Sequence, residues 1–228
     1  VNNYHAITPI IFISAGIFAI IITSANKISL NEKMIEREGG TGGYKLWAET
    51  ALPVSIDFES ETGKNEFNLN DPEFKDVEII QGAIINGDDA SCLNLNHVKT
   101  PPILGIDASA FLARGSFSFA AILKDRINTN PWKKLLEVPS VNTIYGVADQ
   151  TVLKWGLKIA VGDTVQVSTE SGIPLNIIIC GGLNSSVFQG NLLISEKNLR
   201  KFYPSVSGNS FYLIDCETNR MDTITNLL

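Results

Sequence analysis

The sequence predicts an α+β domain of many short strands, a mixed short-strand fold preceded by one transmembrane helix. Three observations lead there. All 42 charged residues (18 Lys and Arg plus 24 Asp and Glu) lie beyond residue 26, so the chain opens on a charge-free block. Past that block, apolar residues recur with period two in short runs closed by Gly, Pro, Asn or Asp, as half-buried strands are. Helical spacing occurs only in brief stretches, and no unit of roughly 20–50 residues repeats, which sets aside solenoids and propellers.

The charge-free block comes first. Ala6 to Ala25 reads AITPIIFISAGIFAIIITSA, twenty residues rich in Ile, Phe and Ala. At about 1.5 Å per residue such a run reaches roughly 30 Å, the thickness of bilayer hydrocarbon. Pro9 stands near its start, where a missing N–H harms a helix least. Gly16 and the Ser and Thr residues are tolerated in membrane helices, while Tyr4, His5, Asn26 and Lys27 suit the interface. No basic stretch precedes the run, as a cleaved signal peptide requires. The run is apolar on every face, more than a core helix of a two-layer domain needs. The expected plan is a transmembrane helix over 1–26 and a folded domain over 27–228, in one or two subdomains, with its β-rich part at about 77–195. The chain opens on Val1 rather than Met and so reads as part of a longer protein. Lys27, Lys33 and Arg37 are matched by Glu32, Glu36 and Glu38, so charge gives no orientation.

Ser29 to Glu38 continues the helix briefly, and Gly39-Gly40-Thr41-Gly42-Gly43 ends it in a flexible joint. Ala51 to Phe58 alternates as a strand, Gly63 to Lys75 is loop or short helix, and Val77 to Ile85 is a strand followed by the hairpin signal Asn86-Gly87. Ile103 to Ile106 forms the next strand, and Asp107 caps a brief helix through Phe111 and Leu112. Pro131 to Leu136 is a helical turn closed by Pro139; Thr143 to Ala148 is a strand and Asp149 to Trp155 a short helix. Thr164 to Ser168 alternates, Glu170-Ser171-Gly172 turns, and Leu175 to Cys180 returns, which is the clearest β signal in the chain. Asn191 to Ser195 and Ser210 to Ile214 are strands around a helix from Glu196 to Tyr203, stopped by Pro204. Glu217 to Leu228 has helical spacing.

The chemistry is sparse. A net charge of −6 without a basic block argues against nucleic acid as a partner. Cys92, Cys180 and Cys216 are far apart and form no C-x-x-C; they read as small buried hydrophobes, with room for one disulfide at most and no basis for choosing it. His5 and His97 are the two histidines, and only His97 falls in the folded part. Without a G-x-S-x-G elbow it anchors no triad, and without clustered Cys and His there is no zinc pattern. Asp88 and Asp89 decorate a turn rather than pair as carboxylates, and no calcium loop occurs. Gly39 to Gly43 lacks the Lys-Ser/Thr end of a phosphate loop, and no G-x-G-x-x-G is present. Phe111, Phe117, Phe119, Trp132 and Trp155 read as core or interface. No catalytic, cofactor-binding or metal-ligating residue is expected, and no cofactor.

From Val141 to Pro204 the order of features is more telling. Trp155-Gly156-Leu157 ends the short helix, Val161-Gly162-Asp163-Thr164-Val165-Gln166-Val167 leads into the turn, Leu175 to Gly182 returns, and Leu192 to Ser195 precedes a surface helix. This order resembles the extracytoplasmic (periplasmic) core domain of FtsX/MacB-like ABC transporter permeases, over about half of the chain. The stretch GGTGGYKLWAETALPV (39–54) is also similar to permeases carrying two such modules. The region before Val77 is short and Gly-rich, so the family's first subdomain is reduced here.

The resemblance implies a non-enzymatic permease domain outside the cell membrane (the bacterial inner membrane), on its periplasmic or extracellular side. It would transmit the motion of a separate cytoplasmic ATP-binding subunit, a role termed mechanotransmission, for export, lipoprotein release or signalling. Implied partners are that ATPase, a second permease copy, and an extracytoplasmic partner or cargo, with further apolar spans after Leu228. The competing expectation is a membrane-anchored extracytoplasmic hydrolase using His97.

Overall fold

In the computed structural model the residues described are 13–18, 33–58, 60–67, 69–70, 72–74, 76–87, 101–125 and 129–227. Nine strands form one mixed sheet: β1 (Leu46–Val54), β2 (Glu78–Ile85), β3 (Ile103–Ile106), β4 (Phe119–Ile122), β5 (Thr143–Asp149), β6 (Thr164–Ser168), β7 (Pro174–Leu183), β8 (Leu192–Ser195) and β9 (Asn209–Asp215). The helices are short: α1 (Glu61–Glu66), α2 (Ala108–Arg114), α3 (Pro131–Lys134), α4 (Glu196–Phe202) and α5 (Met221–Leu227), plus a π-helical turn at Val152–Leu157. The architecture is α+β, and the sheet extends at both ends past the 77–195 stretch.

Strand order is β1-β9-β2-β3-β8-β5-β7-β4, with β6 also paired to β7. β3 with β8 and β5 with β7 run parallel, and the other pairs are antiparallel. Period-two alternation divides the side chains between two faces. Leu104, Ile106, Val147, Leu193, Phe211 and Leu213 enter an aromatic core with Phe111, Phe117, Trp132 and Phe188. Ile103, Ile144, Ala148, Leu192 and Ile194 enter an aliphatic core that β6 and Leu199 of α4 cover. A smaller cluster of Phe74, Tyr212, Ile214, Cys216 and Ile224 continues that second face under β1 and β9. β3 and β8 are buried at every position, which is why their sequences are apolar up to Ser195, the last residue of β8.

One irregularity sets the register of β7. Gly146 pairs with Ile179 but Val147 pairs with Gly181, so Cys180 is an extra residue on β7. Leu175, Ile177 and Ile179 face the aliphatic core. After the bulge the parity inverts, and Leu183 joins Cys180 on the aromatic side. A strand expected to end at Cys180 therefore runs on to Leu183.

Several expectations need correction. Asn86-Gly87 does not close a two-residue hairpin: Ile85 partners Ile103 antiparallel, but residues 86–102 connect them. The strand expected over 51–58 is β1, shifted back to 46–54, because Leu46 to Glu49 pair with β9 and the pairing becomes irregular beyond Glu49. β4 was not anticipated, since its Phe-Ala-Ala-Ile offers little polar alternation. Trp155, expected in the core or at an interface, is 57% exposed and so is not a core residue. Residues 13–18 are helical and exposed; the remainder of the expected membrane span lies outside the described residues. Among the described residues, no helix is long and apolar enough to cross a membrane.

Candidate functional site at the chain junction

β1 begins where β9 ends. Leu46 pairs with Ile214, and the Lys45 amide donates to the Ile214 carbonyl at 2.9 Å. The chain thus arrives at the sheet and leaves it side by side, and ionic groups bind the two points together. Arg114, the last residue of α2, has a side chain only 7% exposed and pairs with both Glu78 and Asp215. Its guanidinium also donates to the Gly43 carbonyl at 3.3 Å and lies 4.5 Å from the centre of the Tyr44 ring. Lys45 Nζ reaches Asp215 Oδ1 at 3.3 Å and donates to the Cys216 carbonyl. A single arginine therefore joins the incoming segment, β2 and the outgoing end of β9.

Burial pushes the Asp215 carboxyl upward, but the hydrogen bonds and charges of Arg114 and Lys45 outweigh it and hold it below the usual carboxylate range. Burial also pushes the Tyr44 phenol up to about 12, with Ser116 and Arg114 offsetting part of that rise.

The incoming segment is held from two sides. The Phe117 amide donates to the Arg37 carbonyl at 2.7 Å, and the Ser116 hydroxyl to the Gly42 carbonyl at 2.9 Å. Opposite, the Val187 amide donates to the Gly40 carbonyl at 2.8 Å. Gly40, Gly42 and Gly43 are buried. A Cβ on Gly42 would meet the Phe117 ring at 2.5 Å, and one on Gly40 the Ser185 carbonyl oxygen at 2.3 Å. The expectation of a flexible joint is thus overturned: these glycines are there for close approach, and the segment is clamped to the domain.

The Ser185–Val187 loop has its own anchor. The fully buried Asp149, at the end of β5, accepts from the Ser186 amide at 2.6 Å and hydroxyl at 2.9 Å, and from the Thr151 amide at 2.9 Å and hydroxyl at 2.7 Å. Four donors satisfy the carboxylate, as a buried charge requires.

The residues singled out by sequence do not gather here. His5, His97, Asp88, Asp89 and Cys92 lie outside the described residues. Cys180 and Cys216 are free thiols, buried in different clusters. Among the described residues, no group of three His, Cys, Asp or Glu could hold a metal ion. The junction residues were overlooked because each looks ordinary in sequence: Lys45 and Asp215 flank strands, and Arg114 ends a helix before Gly115. Asp149 opens the short helix expected over 149–155, and nothing local in the sequence points to Ser186.

No family model matches this chain, and no curated protein matches it. It is similar to the crystal structure of the extracellular domain of the noncanonic ABC-type transporter YknZ from Gram-positive bacteria, at 11% identity over 79% of this chain and 86% of that one, with a TM-score of 0.38. A likeness this loose carries no argument about activity.

Burial of Tyr44 at the junction and of Cys180 at the β7 bulge makes stability pH-dependent at the alkaline end. Burial also pushes the Cys180 thiol to about 12, from an ordinary 9.0, as it does Tyr44 from 10.0. Both pKa values are raised on folding, so the unfolded chain ionises first. The stabilisation is complete below the ordinary values and is lost upward, from pH 9 for Cys180 and pH 10 for Tyr44, towards pH 12. The expected slope is about 1.4 kcal/mol per pH unit for each group in its window. Urea midpoints followed by tryptophan fluorescence should hold steady at about pH 8 and fall by about pH 11. A flat profile would show both groups hydrated in the fold.

Proposed function

We propose that this chain is the extracytoplasmic domain of an ABC transporter permease, which passes the motion of a separate cytoplasmic ATPase to an outer partner or cargo. The observation that carries the reading is the junction: the strand that enters the sheet and the strand that leaves it are paired neighbours, cross-tied by Arg114, Lys45 and Asp215. A domain carried between two membrane segments needs its two ends together. A domain that transmits displacement also needs them stiffly joined to the sheet, because a slack joint would absorb the movement. The charge-free residues 6–25 and the feature order of 141–204 support the same reading from the sequence. The membrane anchor, the ATPase and the outer location belong to this proposal.

Location is the first test. Lys158 is exposed, so Lys158→Cys combined with Cys92→Ser in the full chain offers a single labelling site away from the buried Cys180 and Cys216. A membrane-impermeant maleimide should label it in intact cells, and the protein should co-purify with an ATP-hydrolysing subunit. Labelling seen only after lysis would refute the proposed placement.

A further inference from the structure

Two residues in the clamp carry backbone strain. Phe117 has φ 65° and Ser185 φ 50°, in the left-handed region that side chains other than Gly, Asn and Asp seldom occupy. They belong to different loops, yet both bear on the same short stretch. The Phe117 ring covers Gly42, and the Ser185 carbonyl faces Gly40. In each case the strained residue stands against a position where no Cβ fits, and a neighbouring donor hydrogen-bonds the stretch: Ser116 on one side, Val187 on the other. Strain of this kind persists only where its surroundings enforce it, and it is relieved when they let go.

We infer that residues 37–44 and these two loops form a strained latch, which opens as a unit without unfolding the sheet. Closed, it couples the incoming chain to β4 through Phe117 and to β5 through Ser186 and Asp149. Open, it releases that coupling while β1 stays paired to β9 through Leu46 to Glu49. The jaws are interdependent because Gly40 and Gly42 are two residues apart: freeing one shifts the backbone that the other grips. The latch takes its purpose from the motion-transmitting role proposed above, but its existence does not depend on that role.

Hydrogen exchange on the full chain tests it by following the Phe117 and Val187 amides, one in each jaw, against β5 and β7 amides such as Ile144 and Ile177. Gly42→Ala acts on the Phe117 jaw and on the Gly42 backbone, held at φ 65°, so Ser116→Ala, which removes the hydroxyl bonded to the Gly42 carbonyl, is the variant that isolates one jaw. Gly42→Ala should speed exchange at both Phe117 and Val187 about tenfold or more, and Ser116→Ala severalfold, with the β5 and β7 amides unchanged. Faster exchange at Phe117 alone would make the jaws independent contacts and overturn the latch. So would a uniform rise across the sheet, or no change at all. None of these outcomes depends on where the protein resides, so failure here is distinct from failure of the labelling test.

Discussion

Arg114→Met is expected to lower the unfolding free energy by about 2–3 kcal/mol at neutral pH, the cost of removing charge-assisted hydrogen bonds from a half-buried carboxylate that keeps a second partner. The methionine fills much of the space beside Tyr44, so the loss reports on charge more than on volume. Glu78 is 46% exposed and recovers water readily, so it contributes little. Asp215 is the costly orphan. Its side chain is 25% exposed, and without the guanidinium Lys45, at 3.3 Å, is the cation left to pair it among the described residues. The pH dependence separates this account from a packing defect. A carboxyl held below its ordinary pKa contributes stability above that ordinary value and loses it as pH falls through the folded one. The parent protein therefore sheds the Asp215 contribution on acidification, whereas the variant has little of it to lose. Urea unfolding should show the gap between the two narrowing from neutral pH to about pH 3. A deficit below about 1 kcal/mol at neutral pH would mean the guanidinium behaves as an ordinary surface charge.

The sheet was largely legible because burial on both faces leaves a local trace. Ile103 to Ile106 and Leu192 to Ile194 are short apolar runs bounded by Pro102, Asp107, Asn191 and Ser195, and a strand fits so brief a run. Asp107 announced its helix, since a side chain accepting from the Ser109 and Ala110 amides is a local interaction. The partners of those strands were not legible. Parallel pairing of β3 with β8 joins residues some ninety positions apart, and no turn chemistry encodes it. Asn86-Gly87 shows the hazard of turn signals: a dipeptide well suited to a tight hairpin sits at the start of a long connection.

The candidate site was illegible for a related reason. Glycine in sequence signals freedom, and Gly39 to Gly43 accordingly suggested a swivel. In the fold, Gly40 and Gly42 are required because a carbonyl oxygen and a ring from distant loops come within 2.5 Å of where a Cβ would stand. The same composition serves slack and close contact, and only the tertiary neighbours distinguish them. This reversal strengthens the functional proposal, since a clamped junction passes on displacement that a swivel would dissipate.

Trp132→Ala is the second large effect, expected to cost about 3–5 kcal/mol, as truncation of a fully enclosed aromatic does. Trp132 is 1% exposed at the first turn of α3, where Asn130 accepts from its amide at 2.9 Å. Its ring lies against Phe111 and Phe119 at centroid separations of 5.2 and 5.0 Å, and its indole N–H donates to the Ser116 carbonyl at 3.0 Å. Truncation opens a cavity and strips that carbonyl of its donor in a buried place. Ser116 also grips Gly42, so the variant should loosen the Phe117 jaw before it unfolds the sheet. Trp155 supplies the contrast: with 57% of its surface exposed, Trp155→Ala should stay within about 0.5 kcal/mol of the parent. Denaturant midpoints of the two variants, measured side by side, decide the matter. Similar losses for both would mean that Trp132 does not close the aromatic core, and the jaw resting on it would lose its foundation.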